Sequence, residues 1–266
     1  MYNTIIPMIL YLKKLLISTL VVFLIVGCSS KIEEKQSVSE SKTHPPMSAV
    51  PQKTLGHSSV IGKVLFSGTP PPPVRSSVKS FSECAIHHKG KVYTDDILIK
   101  NGKLQNVFVY VKQGLENQSF SVPSESVMLD QVGCIYTPHV LGIQTGQELI
   151  IKNSDVALHN VHSNSSNQKS FNIGMPVQGM KIKKTFLSPE IMISVTCDIH
   201  PWMKAYIGVL PHSFFDATDE NGAFSISNLG PGDYEIEAWH EKFGVKTQKI
   251  HLEDRETKEI TFTFTE

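Results

Sequence analysis

Hydrophobic positions along this chain come in short runs, and only the first run is long enough to suggest a continuous apolar segment. Leu15 to Gly27 follows Lys13-Lys14 and ends at Cys28. Residues 29–57 carry Ser, Lys, Glu, Gln and Pro with few apolar side chains, so they cannot bury a core and read as a flexible tether. From His57 onward the pattern changes to that of strands. Val60 to Phe66 is one, broken by Ser67 to Pro73 with its run of prolines. Leu104 to Val111 contains a β-branched and aromatic run, Val107 to Val111, that reads as a buried strand. Ile143 to Ser154 holds a turn at Thr145-Gly146-Gln147 before the apolar Leu149-Ile150-Ile151. Glu190 to Val195, Ala223 to Ile226, Tyr234 to Ala238 and Glu259 to Phe264 complete the set. Past the first run no segment repeats apolar residues with a helical period. Many short strands divided by Gly, Pro, Asn and Asp turns predict an all-β protein built from sandwiches or barrels.

The first apolar run is short of the ~20 residues that span a bilayer, and its basic flank and small final residues describe a secretory signal. Leu24-Ile25-Val26-Gly27-Cys28 resembles the lipobox of bacterial lipoproteins. That resemblance implies a signal peptide over 1–27, acylation of Cys28, and a tether over 28–57. Ser29 after the cysteine fits sorting to the outer membrane, so the expected location is the cell envelope, lipid-anchored and facing the periplasm. An uncleaved N-terminal anchor is the alternative, and it too puts the body outside the cytoplasm. Composition adds one exclusion. The 266 residues carry no net charge, which leaves no basic field for nucleic acid.

Four cysteines are present: Cys28, Cys84, Cys134 and Cys197. With Cys28 lipidated, an odd number remains in an oxidising compartment, which leaves a thiol for other chemistry. Val195-Thr196-Cys197-Asp198-Ile199-His200-Pro201-Trp202-Met203 points at Cys197. It follows an apolar strand, and Pro201 stops the strand from running through it. Cys-x-x-His-x-x-Met on one tight loop offers a thiolate, an imidazole and a thioether to a shared point. Upstream, His159-Asn160-Val161-His162 supplies a second imidazole. On a strand residues three apart face opposite ways, so at most one of His159 and His162 reaches a common centre. Two His and one Cys with a weak axial Met form the ligand set of a type 1 (blue) copper site. Zinc could use the same Cys and His residues but has no need of Met203.

These two loops resemble those of the cupredoxins, in particular amicyanin, with its short Cys-to-Met spacing, and its plastocyanin-type relatives, where the gap before the methionine is longer. The resemblance covers residues 121–210. It implies a Greek-key β-sandwich with one copper held by His159, Cys197, His200 and Met203, and with Asn160 tying the His159 loop to the cysteine loop. A second resemblance lies downstream. Thr218 to Phe224, with its Asn221-Gly222 turn, and Leu229-Gly230-Pro231-Gly232-Asp233-Tyr234 resemble the carboxypeptidase regulatory-like (transthyretin-like) β-sandwich. The strands that would complete it lie upstream of residue 121. The expected organisation is thus one sandwich assembled from 58–120 with 211–266, split by the cupredoxin region, or else two β-domains in tandem.

Two further groups stay open at the level of sequence. Cys84, beside His87-His88, and Cys134, near His139, predict a disulfide, or alternatively a second metal or redox site. Trp202, beside His200, belongs at an electron-transfer surface, or else both Trp202 and Trp239 pack between the two sandwiches. His212, His240 and His251 are expected at a surface or interface. No nucleophile–base pair, phosphate loop or carboxylate dyad appears, so the chain is not read as an enzyme. The expected function is single-electron transfer by an exported copper lipoprotein to or from a redox partner such as a cytochrome or oxidoreductase. Copper storage or delivery, and an interaction module with a vestigial copper site, are the alternatives.

Overall fold

The computed structural model describes residues 55–266; Cys28, the signal segment and residues 29–54 of the tether lie outside the described residues. The described chain is all-β, with one single-turn α-helix, Ser82–Ala85, and a 3-10 turn, Val78–Ser80. Its strands form four sheets, two of them built from the ends of the described chain and two from its middle.

The outer pair of sheets is made by strands far apart in sequence. Ser58–Phe66 runs parallel to Thr257–Phe264 and antiparallel to Ala223–Leu229. Phe108–Gln113 pairs with Phe215–Ala217 on one side and with Gly232–His240 on the other, which in turn carries Gly244–Leu252. Alternation puts Val60, Val64 and Phe66 inside, against Leu104, Val109, Phe214, Ile226, Phe262 and Phe264. Each fully buried Phe of this set contributes roughly 2–3 kcal/mol by removal from water. The Asn221-Gly222 turn falls between Phe215–Ala217 and Ala223–Leu229, with Gly222 at φ +66°.

The middle pair of sheets uses residues 127–210. One contains Phe171–Met175, His159–Asn164, Glu190–Thr196, Lys204–Leu210 and Val140–Gln144 in that spatial order. The facing sheet contains Lys181–Thr185, Glu148–Asn153, Val127–Gln131 and Tyr136–Thr137. Leu129, Leu141, Ile143, Leu149, Ile151, Val161, Ile193, Val195 and Ile207 fill the space between them. Lys181–Thr185 lies at a sheet edge, where alternating exposed lysines discourage pairing with another chain.

The outer and middle sandwiches meet through an aromatic seam. Phe108–Val111 is buried on both faces: Val109 and Val111 face the outer core, while Phe108 and Tyr110 join Phe215, Val140, Met192 and Leu210 in the seam. Two glycines make room for it. Gly142 and Gly208 stand opposite each other across a parallel strand pair. A Cβ on Gly142 would lie 2.2 Å from the Phe215 ring, and one on Gly208 would lie 2.5 Å from the Phe108 ring. Trp239 joins the same seam with its ring 5.0 Å from that of Tyr206.

Candidate metal centre

The middle sandwich brings two loops to one end of one sheet. Glu190–Thr196 lies between His159–Asn164 and Lys204–Leu210, with Thr196 opposite both His162 and Lys204. Cys197 therefore leaves the sheet next to the strand that His159 begins. The loop from Cys197 to Met203 is closed on itself. The Met203 N–H donates to the His200 carbonyl at 2.8 Å, and the Cys197 N–H donates to the Met203 carbonyl at 3.2 Å. Pro201 lacks an N–H and keeps the turn from extending the ladder.

Three donor residues converge there. His159 Nδ1 and His200 Nδ1 are 3.0 Å apart, and Cys197 Sγ is 3.7 Å from His200 Nδ1. All three side chains are buried, as is Met203. His162, on the other face of its strand, is half-buried and pairs with Asp198 at 3.0 Å. Asn160 links the two loops: the Asp198 N–H donates to its Oδ1 at 2.7 Å, and its Nδ2 donates to Asp198 Oδ2 at 3.0 Å. Asn172 Nδ2 donates to that same carboxylate oxygen at 2.6 Å, so Asp198 fastens the cysteine loop to two neighbouring strands.

Behind the histidines lies a carboxylate that sequence reasoning did not single out. Asp155 is 1% exposed and saturated. Its Oδ1 accepts from the Gly133 N–H at 2.7 Å, and its Oδ2 accepts from the Cys134 N–H at 2.8 Å and from His159 Nε2–H at 2.9 Å. A hydrogen on Nε2 leaves the Nδ1 lone pair of His159 facing the cluster. Cys84 and Cys134 are joined in a disulfide, and Cys84 Sγ lies 3.6 Å from His200 Nε2. Phe81 and Trp202 close over the same imidazole, with ring centroids 5.0 and 5.1 Å from it. Trp202 Nε1–H donates to the Cys134 carbonyl at 2.8 Å, so this tryptophan is a lid held from below and not a free surface ring. The only hint of Asp155 in the sequence is a carboxylate four residues ahead of His159.

Electrostatics follow the geometry. Burial disfavours a charge on His159, but hydrogen bonds to Asp155 and Cys197 outweigh it and raise its pKa above the ordinary histidine value. Burial likewise opposes the Cys197 thiolate, yet the His159 hydrogen bond and nearby backbone N–H groups hold its pKa below the usual thiol value. His200 is lowered by burial and by the neighbouring His159. For Asp155, burial is overcome by His159 and the two backbone donors, which hold the carboxyl below its ordinary range. A thiol biased toward thiolate, between two imidazoles whose Nδ1 atoms face it, matches the donor chemistry of a soft or borderline cation such as copper.

The other sequence-predicted residues separate. His88 Nε2 meets the Gly133 carbonyl at 2.6 Å and His139 pairs with Glu241 at 2.5 Å, so neither joins Cys84 and Cys134 in a cluster. His251 is exposed, whereas His212 and His240 are buried in the outer sandwich rather than at a surface. His212 is held by the Val111 carbonyl and the Phe214 N–H, and His240 stacks on Phe243 at 4.7 Å.

Comparison with known proteins adds to this picture without naming a family for the whole chain. Residues 215–262 match the family described as BOS complex subunit NOMO1-like, second beta sandwich domain. For this region the match supports a β-sandwich, without the narrower carboxypeptidase regulatory-like assignment. No curated protein matches the chain. Similar solved structures include a purple cupredoxin from Nitrosopumilus maritimus, at 22% identity over 31% of this chain and 98% of that one, with a TM-score of 0.27. An amicyanin variant in its oxidised state is 20% identical over 34% of this chain and 86% of that one, with a TM-score of 0.29. A copper-containing nitrite reductase from Thermus scotoductus SA-01 is 17% identical over 55% of this chain, which spans 28% of that enzyme, with a TM-score of 0.30.

Proposed function

We propose that the chain is an exported, lipid-anchored carrier of single electrons whose middle sandwich holds one type 1 copper. The observation that carries the reading is the buried convergence of His159 Nδ1, His200 Nδ1 and the Cys197 thiol at the end of one sheet. His159 and His200 would be the imidazole ligands, Cys197 the thiolate and Met203 the weak axial donor. Copper bound there would supply one-electron redox chemistry. The chain's own residues supply rigidity. Asp155 fixes the ring and tautomer of His159, and the Asn160–Asp198 pair fixes the cysteine loop against the His159 strand. Phe81, Trp202 and the Cys84–Cys134 bond keep water from His200. A site so braced favours little movement between oxidation states. Substrate turnover would reside in a redox partner, and Cys28 would anchor the carrier in the cell envelope.

The test is a Cu(II) titration of the purified chain followed by visible absorption and electron paramagnetic resonance. An intense thiolate-to-copper band with narrow copper hyperfine splitting is the expected result, and Cys197→Ser should abolish both while the fold survives. An unchanged copper spectrum in Cys197→Ser, or a tetragonal spectrum in the unsubstituted chain, would remove Cys197 from the ligand set and sink the proposal.

A further inference from the structure

The imidazole of His200 stands between two sulfur centres. Its Nδ1 faces Cys197 Sγ at 3.7 Å, and its Nε2 faces Cys84 Sγ at 3.6 Å. Cys84, Cys134 and His200 place their donor atoms within 4.8 Å of one another, and all three are buried. The turn that carries Cys84, Ser82–Ala85, belongs to neither sandwich's sheets. Just beyond it come His87 and His88, the first 3.8 Å from Asp155 and the second on the Gly133 carbonyl, next to Cys134. The sulfur pair thus stands between the inner cluster and two histidines nearer the solvent.

We propose that Cys84 and Cys134, once reduced to thiols, form a second site for a soft monovalent metal, Cu(I), and that it adjoins the inner centre through His200. Reduction by an external dithiol supplies two electrons and two protons. The S–S bond breaks, two thiols form, and the dithiol leaves as its own disulfide. Cu(I) displaces the two thiol protons to solvent, and the resulting thiolates hold it as a soft-donor pair, with His200 Nε2 as a third donor. A neutral imidazole has a single lone pair, so His200 offers it either outward through Nε2 or inward through Nδ1. In the disulfide form the sulfur pair is no longer a thiolate ligand set, and the same bond closes the cover over His200. The outer site is an entry station that oxidation converts into a lock.

The test uses the full chain carrying Cys197→Ser, which removes the inner thiolate and makes the outcome independent of whether the inner centre is blue. Its disulfide and dithiol forms are titrated anaerobically with Cu(I) against a chromophoric Cu(I) chelator, and X-ray absorption reads the ligands. The dithiol form should bind one Cu(I) through two sulfurs, at least tenfold more tightly than the disulfide form. Adding Cys84→Ser and Cys134→Ser should erase that difference. Without Cys197→Ser, the reduced chain should take up two Cu(I) and the disulfide form one. Equal affinity of the dithiol and disulfide forms would overturn the proposal. So would loss of the near-ultraviolet circular dichroism on reduction, because the site requires the folded chain.

Discussion

Both sandwiches bury histidines, and only one of them makes a candidate site. In the outer sandwich His212 has each ring nitrogen spoken for, by the Val111 carbonyl and by the Phe214 N–H. His240 lies flat on Phe243. Burial pushes both pKa values down to about 4, so they serve as neutral aromatic packing. In the middle sandwich His159 and His200 are equally buried, but their Nδ1 atoms face each other and a thiol, while their Nε2 atoms are held by Asp155 and Cys84. Burial of an imidazole does not by itself define a ligand. What matters is which nitrogen is left with a free lone pair and where it points.

The comparison can be broken most severely from the apolar side. Phe262→Ala in the outer core should cost about 3–5 kcal/mol, read by denaturant unfolding, because a fully buried ring leaves a cavity. Copper binding by molecules still folded should be unchanged, since that ring belongs to the outer core alone.

Acid should sharpen the contrast next. His212 and His240 have folded-state pKa values below the unfolded 6.5, so the unfolded chain takes up protons first, and their contribution is lost as pH falls from 6.5 through 4. Each amounts to about 3 kcal/mol at full loss, at ~1.4 kcal/mol per pKa unit. Asp216 works in the opposite sense. Burial lifts its carboxyl from 3.8 to about 6, so protonation over that range favours the folded state by a similar amount. A net loss of about 3 kcal/mol between pH 6.5 and 4 is expected in thermal or urea unfolding. A flat profile would contradict the neutral-histidine account.

On the middle side, Asp155→Asn keeps the volume but presents an NH2 group where His159 Nε2–H or a backbone N–H now finds an acceptor. Stability should fall by about 1–3 kcal/mol and metal affinity by about 10–100-fold, measured by chelator competition. Phe262→Ala should leave that affinity alone, which separates orientation of the ligand from global stability. The smallest effect belongs to Asn160→Ala. It removes the tie to a half-exposed Asp198, costs about 1 kcal/mol, and should broaden the copper spectrum without abolishing it.

Much of this was legible from residue order. Val107 to Val111 reads as a buried strand from its run of β-branched and aromatic residues; the structure buries it on both faces, and the seam with Phe215 is the reason. The Cys197 loop stands out because Cys, His and Met share one short span, and the His159 loop because the two together resemble the ligand loops of the cupredoxins; that they leave neighbouring strands is seen only in the fold. Other strands escaped notice. Lys181–Thr185 and Gly244–Leu252 are polar edge strands with little apolar pattern, and Lys204–Leu210 lies hidden behind the loop it follows. The cover over His200 was illegible for a different reason. Phe81 and Cys84 reach it from more than a hundred residues upstream, and no local pattern encodes that contact.

The glycine notch at Gly142 and Gly208 bears on the order in which the molecule can be assembled. The outer sheets need Phe108–Gln113 beside Phe215–Ala217, and the intervening hundred residues must first bring their own ends together. Closing that span as unfolded chain costs about 4 kcal/mol in entropy. A middle sandwich that is already folded removes the cost and offers Phe108 and Phe215 a ready socket. Folded first, the middle sandwich would act as a template, so the Cys84–Cys134 bond that consolidates it should speed completion of sheets it never touches.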